Sequence, residues 1–462
     1  MTSMANFWEF RVWGSFNLFA VLLVSLLAAN ILKRRLKILR QSLIPTSVLG
    51  GGLLIVVAGI YKLCTGNIMF DEPFFGESGT ANLEMLTYHC LALGFIASAF
   101  KTSDNKMNKR RAGEIFDSGV TTVATYLLQA IVGFGISLVA CIFMKDFFEA
   151  AGVLLPFGYG QGTGQAMNYG TIYETEFGFV GGKSFGLTIA AFGFISASLG
   201  GVVYLNRPKM RQRLNANAGK KYKLNTEQIE TANEIPMQES MDKLTFQIAL
   251  IAAAYLISYL LMFLLGLLLP GMKSVIFGFN FLLGVLAAMI VKGIMKFFRV
   301  MKWNSRDYIN NFLMTRASNF FFDLMVVAGV AAIRLGALQD YWGVIIIMGL
   351  AGAFVTYWYT SVVARVLFKE YAEEQFLATY GMLTGTASTG VILLREIDGD
   401  FETPAADNMV YQTFPAIVFG FPMMLLATLA PVKPILTLII FILFFAVMNI
   451  ILFRSKIFKK KG

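Results

Sequence analysis

The sequence predicts an all-α polytopic membrane protein with two inverted-topology repeats. Each has about five spans and one re-entrant hairpin, and an extra C-terminal transmembrane helix follows. Three observations predict this class. Of 462 residues, 56% are hydrophobic and only 15% are charged, and the mean hydropathy is +0.64, far more apolar surface than one soluble core needs. Apolar runs near or above the roughly 20 residues needed to cross hydrocarbon recur along the chain. Two glycine-rich and hydroxyl-rich interruptions, GYGQGTGQ at Gly158 to Gln165 and YGMLTGTASTG at Tyr380 to Gly390, lie at matching places late in the two halves.

The first repeat covers residues 1–206. Its spans are expected at 15–32, 43–61, 83–100, 118–144 and 184–206, with a hairpin near 150–175 between the fourth and fifth. Residues 207–243, which include Arg207, Asn215, Asn217, Gly219 and Pro236, read as a polar linker. The second repeat, 244–430, has runs at 244–269, 272–298, 318–338, 342–368 and 408–430, with a hairpin near 372–398. Residues 431–462 supply the extra helix at 433–453 and a basic tail, giving about eleven spans in all. An odd number of spans per half, with a hairpin that returns to its own side, makes the halves run oppositely.

The net charge of +11 is placed for orientation, not for nucleic acid. Lys33, Arg34, Arg35 and Lys37 follow the first span, and Lys101, Lys106, Lys109, Arg110 and Arg111 follow the third. Arg207, Lys209, Arg211 and Arg213 follow the fifth, and Lys459, Lys460 and Lys461 end the chain. All fall on the cytoplasmic side of a multi-pass protein of the inner (plasma) membrane if the N-terminus is outside and the C-terminus cytoplasmic. The first span has its charge cluster after it and no basic leader before it, so it is expected to stay in the protein. Cys64, Cys90 and Cys141 are scattered, without the spacing of a disulfide framework or zinc site. The single histidine, His89, reads as a packed, hydrogen-bonded residue of the third span, with a protonation role as the alternative.

The two interruptions carry the candidate chemistry. Within a membrane, non-helical backbone is tolerated where protein buries it or water bathes it, so paired breaks point to a midplane binding site. Half-helix N-termini there suit a carboxylate, and exposed carbonyls and hydroxyls can replace the hydration shell of a small cation. Candidate solute-binding residues are Gly160, Gly162, Thr163, Gly164, Thr386, Ser388, Thr389 and Arg395. Arg395 offers a planar bidentate partner for carboxylate, or else pairs with Glu396 or Asp398 or reaches water. Hard oxygen ligands favour sodium, Na+, as coupling ion, with Thr163, Thr384, Ser388 and Asp323 as candidate ligands. Asp323, expected near the cytoplasmic end of the eighth span, could instead be solvated or paired. Gly50, Gly51 and Gly52 read as a helix-packing surface.

Together with ALGFIASAF at Ala92 to Phe100 and VAGVAAIRLGAL at Val327 to Leu338, these loops resemble the bacterial sodium/glutamate symporters, distant relatives of sodium-coupled hydroxycarboxylate carriers. The resemblance runs through the tenth span. The chain departs from that family's pattern in reading GYGQGTGQ where a GG-H-G-T pattern is usual, and TGTASTG without a Thr-Pro pair. What the resemblance implies is a homodimeric symporter of L-glutamate, or another small anionic solute, moving its hairpins across the bilayer in an elevator-like motion. Citrate or another dicarboxylate is the alternative solute, and an ion channel the alternative class. An enzyme is disfavoured: one histidine and three dispersed cysteines supply no metal cluster, and no base stands beside a serine nucleophile.

Overall fold

The computed structural model describes residues 6–41, 43–101, 109–145, 147–208, 210, 241–270, 273–301, 307–398 and 403–457. Most of the polar linker expected at 207–243 and Lys459, Lys460 and Lys461 of the tail lie outside the described residues, which are helical throughout apart from short turns. The first half contains α1 (Phe10–Arg35), α2 (Lys37–Gln41), α3 (Thr46–Thr65), α4 (Gly79–Phe100), α5 (Lys109–Phe143), α6 (Leu154–Phe177) and α7 (Gly182–Leu205). The second half begins with α8 (Lys243–Leu268), α9 (Lys273–Gly278), α10 (Asn280–Val300), α11 (Asn311–Ala331) and α12 (Trp342–Leu367). It continues with α13 (Ala372–Thr384), α14 (Ala387–Arg395), α15 (Ala405–Tyr411), α16 (Thr413–Leu429) and α17 (Pro434–Leu452).

Ten helices among the described residues are long and apolar enough to cross a membrane, as expected of a multi-pass membrane protein. The run at 408–430 is not the single span expected, because it divides at Gln412 into α15 and α16. Pro415 has no N–H to return to the Tyr411 carbonyl, which accounts for the interruption. The run at 272–298 is likewise broken at Phe279, between α9 and α10. The eighth span sits a turn or more earlier than 318–338, so Asp323 lies in mid-helix, and Arg334 follows the helix, 3.8 Å from Glu84.

The distribution of side chains is that of a protein in lipid. Along α8, Leu256, Leu260, Leu264 and Leu267 form one exposed apolar face. Polar groups turn inward instead. On α5, Ser118, Thr122, Thr125 and Gln129 make a buried stripe at helical spacing. Ser118 and Thr122 donate to Gln412 Oε1 at 2.6 and 3.0 Å, tying the stripe to the break in the tenth span. A separate buried cluster, including Phe100, Ile251, Ala254, Ala287 and Met314, packs α4, α8, α10 and α11 together.

Candidate functional site: two broken hairpins

α6 is two antiparallel arms joined at Gly162. In a straight helix Phe157 and Tyr169 would lie about 18 Å apart. Their rings instead stack with centroids 3.8 Å apart and planes 6° apart. The turn requires glycine, because residue 162 has φ 79° and ψ −170°, a conformation open to essentially no residue with a Cβ. The returning arm is anchored to α16 by Tyr169 and Tyr173, whose hydroxyls donate to the carbonyls of Met424 and Ala427 at 2.8 and 2.7 Å.

α13 and α14 form the second hairpin, broken at Gly385 and Thr386. Its arms approach so closely that a methyl group on Gly390 would fall 2.5 Å from the Ala378 carbonyl oxygen. Glycine therefore serves close approach here rather than an unusual dihedral angle.

Both hairpins lie along α7, from opposite ends. The first packs on the stretch from Gly182, which abuts Gly170, to Ala190, which abuts Gly158, and its Tyr159 reaches on to Gly193. The second occupies the stretch from Gly193, which abuts the Thr384 carbonyl, to Gly201, which abuts Leu393. Their breaks meet between. A methyl group on Gly162 would be 3.3 Å from Thr386 Cγ2, 3.8 Å from the Gly385 carbonyl oxygen and 3.9 Å from Met325 Cε.

This contact gathers most of the residues expected from sequence. Thr163 is fully buried, and its hydroxyl donates to the Met325 carbonyl at 3.5 Å. Thr386 and Thr389 have hydroxyl oxygens 3.4 Å apart. Gly160 accepts from Tyr126 at 3.0 Å, and Gly164 packs on Leu91 and Met325. Thr384 is buried, but its hydroxyl is engaged with the Tyr380 carbonyl at 2.6 Å. Ser388 lies in the first turn of α14, with its side chain outside the described residues.

Two expected residues are elsewhere. Arg395 is exposed at the far end of α14, about 12 Å along the helix from Ala387. Beside it, burial pushes the Glu396 carboxyl above its usual range, and Lys33 and Arg395 pull it back down. Asp323 faces α3, where the Ser47 hydroxyl meets its carboxylate. It is two residues, about 200° of helix rotation, from Met325, which faces the first hairpin.

Sequence reasoning passed over the glutamines. Gln129 is fully buried, and its Nε2 donates to Thr356 Oγ1 at 2.8 Å and to the Leu383 carbonyl at 2.9 Å. Its Oε1 has no partner, and neither do Nε2 of Gln161 and Nε2 of Gln165, on either side of Gly162. The signal was a carboxamide inside an apolar run and two more inside the GYGQGTGQ segment.

The electrostatics follow from the backbone. The returning arm after Gly162 and helix α14 after Thr386 both present helix N-termini at the contact. The arms leading in, ending at Gln161 and Thr384, present C-termini. Amide groups that attract an anion and carbonyls that attract a cation thus converge on one place. Neither the known protein families nor the curated proteins searched include a match to this chain.

Proposed function

We propose that the chain is a sodium-coupled symporter of a small anionic solute, glutamate or a close analogue. The observation that carries this reading is the contact of Gly162 with Thr386, two helix breaks reached from opposite ends of α7. A solute carboxylate binds the N-terminal amides of the two returning arms. Sodium binds carbonyls of the incoming arms and hydroxyls such as those of Thr163 and Thr389. Among the described residues, none of the side chains that meet at the break is basic, so the cation supplies the charge that balances the anion. Each ligand then favours the state occupied by the other, which is the requirement for coupling.

Transport by this reading moves the hairpins and α7 as one body, because α7 carries both. The cluster joining α4, α8, α10 and α11 supplies a stationary wall, and dimerisation would fix that wall in the bilayer. With the N-terminus outside, the first hairpin opens outward and the second toward the cytoplasm.

The test is uptake of labelled glutamate by sealed proteoliposomes under an inward sodium gradient, against a matched potassium control. Saturable accumulation with sodium alone is expected. Unitary currents in a planar bilayer without accumulation would move the assignment to a channel.

A further inference from the structure

Two side chains of a single helix hold the ends of both hairpins. Tyr126 and Gln129 stand three residues apart on α5, and so on one side of it. The Tyr126 hydroxyl donates to the Gly160 carbonyl at 3.0 Å, and Gln129 Nε2 donates to the Leu383 carbonyl at 2.9 Å. These carbonyls occupy the same place in their hairpins. Gly160 comes two residues before Gly162, and Leu383 two residues before Gly385, where the incoming arms break off. Each therefore belongs to the last turn of its arm, whose final four carbonyls have no amide partner within the helix.

Both side chains are committed to this task. The Tyr126 ring lies so close on Gly160 that a methyl group there would collide with it. Gln129 is fully buried and gives its amide nitrogen to the Leu383 carbonyl and to Thr356 Oγ1, the latter at 2.8 Å, while its own Oε1 has no partner. An amide in this orientation forgoes a bond to its acceptor to keep its donors in place. The carbonyl ends of the incoming arms are the part of the site that attracts a cation. Oxygens from two separate arms bind one ion well only when their neighbours hold them within about 0.5 Å of the productive geometry.

We propose that Tyr126 and Gln129 are positioning residues for the cation half of the site. They hold the carbonyl ends of both incoming arms in register, so that sodium affinity depends on α5 although neither side chain is a ligand. The inference rests on the reading of the breaks as a sodium site and deepens it. α5 thereby joins α7 in binding both hairpins, but at the carbonyl ends alone. Loosening it should weaken the ion more than the anion, whose amides belong to the returning arms.

The experiment titrates the purified full chain in detergent with sodium chloride, with choline chloride keeping the ionic strength constant and no solute present. The sodium dissociation constant is drawn from the rise of melting temperature with sodium. Tyr126→Phe keeps the ring on Gly160 and removes the hydroxyl, and Gln129→Met keeps the length and removes the donor. Each should raise that constant by about threefold or more, the factor that one such hydrogen bond is worth. Tyr359→Phe is the control for mere loss of stability: it removes a buried hydroxyl that donates to Asn449 Oδ1 at 2.9 Å, between α12 and α17, and should lower the melting temperature with the sodium constant unchanged. In proteoliposomes, Tyr126→Phe and Gln129→Met should raise the sodium needed for half-maximal glutamate uptake, with KM for glutamate at saturating sodium within about twofold. If Gln129→Met does not fold, Tyr126→Phe decides alone. An unchanged sodium constant, an equal rise in Tyr359→Phe, or an equal rise in the glutamate KM would overturn the proposal. If sodium stabilises the unsubstituted protein no more than choline does, the sodium reading fails together with this one, whereas stabilisation that the variants leave unaltered overturns this one alone.

Discussion

Tyr159 and Tyr380, one from each hairpin, converge on Ser196 of α7: the Tyr159 hydroxyl is 2.9 Å from Ser196 Oγ, and the Tyr380 hydroxyl donates to the Ser196 carbonyl at 2.8 Å. Tyr159 also donates to the Gly349 carbonyl of α12 at 2.5 Å. Removing either hydroxyl leaves a buried acceptor with less than its due. Tyr159→Phe and Tyr380→Phe should each lower stability by about 1–2 kcal/mol, read as a drop in melting temperature in detergent. Because both hydroxyls hold hairpins to one residue, the double variant should lose more than the sum of the singles. Simple additivity would show that the hairpins are held independently.

Gly162→Ala places a Cβ on a residue with φ 79° and ψ −170° and brings it to 3.3 Å from Thr386 Cγ2. Backbone strain of this kind costs on the order of 1–3 kcal/mol. The expected outcome is a folded, membrane-inserted protein with uptake reduced about tenfold or more, since 1.4 kcal/mol at the contact corresponds to that factor. Wild-type uptake by this variant would show that the turn at residue 162 is not required for transport.

Arg395 lies a helix length from the break and is exposed. Arg395→Gln should therefore leave KM for the anion within about twofold, because an exposed charge at that separation is screened beyond the Debye length of about 8 Å. A rise of tenfold or more would return Arg395 to the solute site.

Glu396 gives a pH dependence. Its carboxyl titrates above the ordinary range in the folded chain because burial outweighs the pull of Lys33 and Arg395. The folded state then holds the proton more tightly than the unfolded state. This contribution to stability is fully present below the ordinary carboxylate range and is lost as pH rises through the raised value. Melting curves from pH 4 to 8 should show Glu396→Gln gaining on the wild type as pH rises. A constant difference would mean that Glu396 titrates normally.

Much of this arrangement was legible in the sequence. Glycine and hydroxyl density marked both breaks, because a chain in lipid leaves its helix only where special residues allow it. Long apolar runs marked the spans for the same reason. The division at Gln412 was harder to read, since its cause is a proline within an apolar run that satisfies the length criterion anyway. Asp323 drew notice as an acid within a span and Arg395 as a charge just after the second loop, but helix phase and length carry them away from the contact. Position in the sequence conveys proximity to a break, not the direction in which a side chain points. The unpaired amide nitrogens of Gln161 and Gln165 become visible only when every neighbouring donor and acceptor is accounted for.

The meeting point of the hairpins along α7 also sets where a membrane voltage acts. Of the 24 residues of α7, the contact falls between Ala190 and Gly193, near the middle. An ion held there has passed through about half of the field, so each unit of charge is worth roughly half of the ~2.3 kcal/mol per 100 mV that acts across the whole membrane. In the symport proposed above, sodium and a carboxylate arriving together would feel opposite forces that largely cancel. A second sodium would leave the loaded hairpins electrically charged, and the resting potential would then drive the proposed passage in one direction.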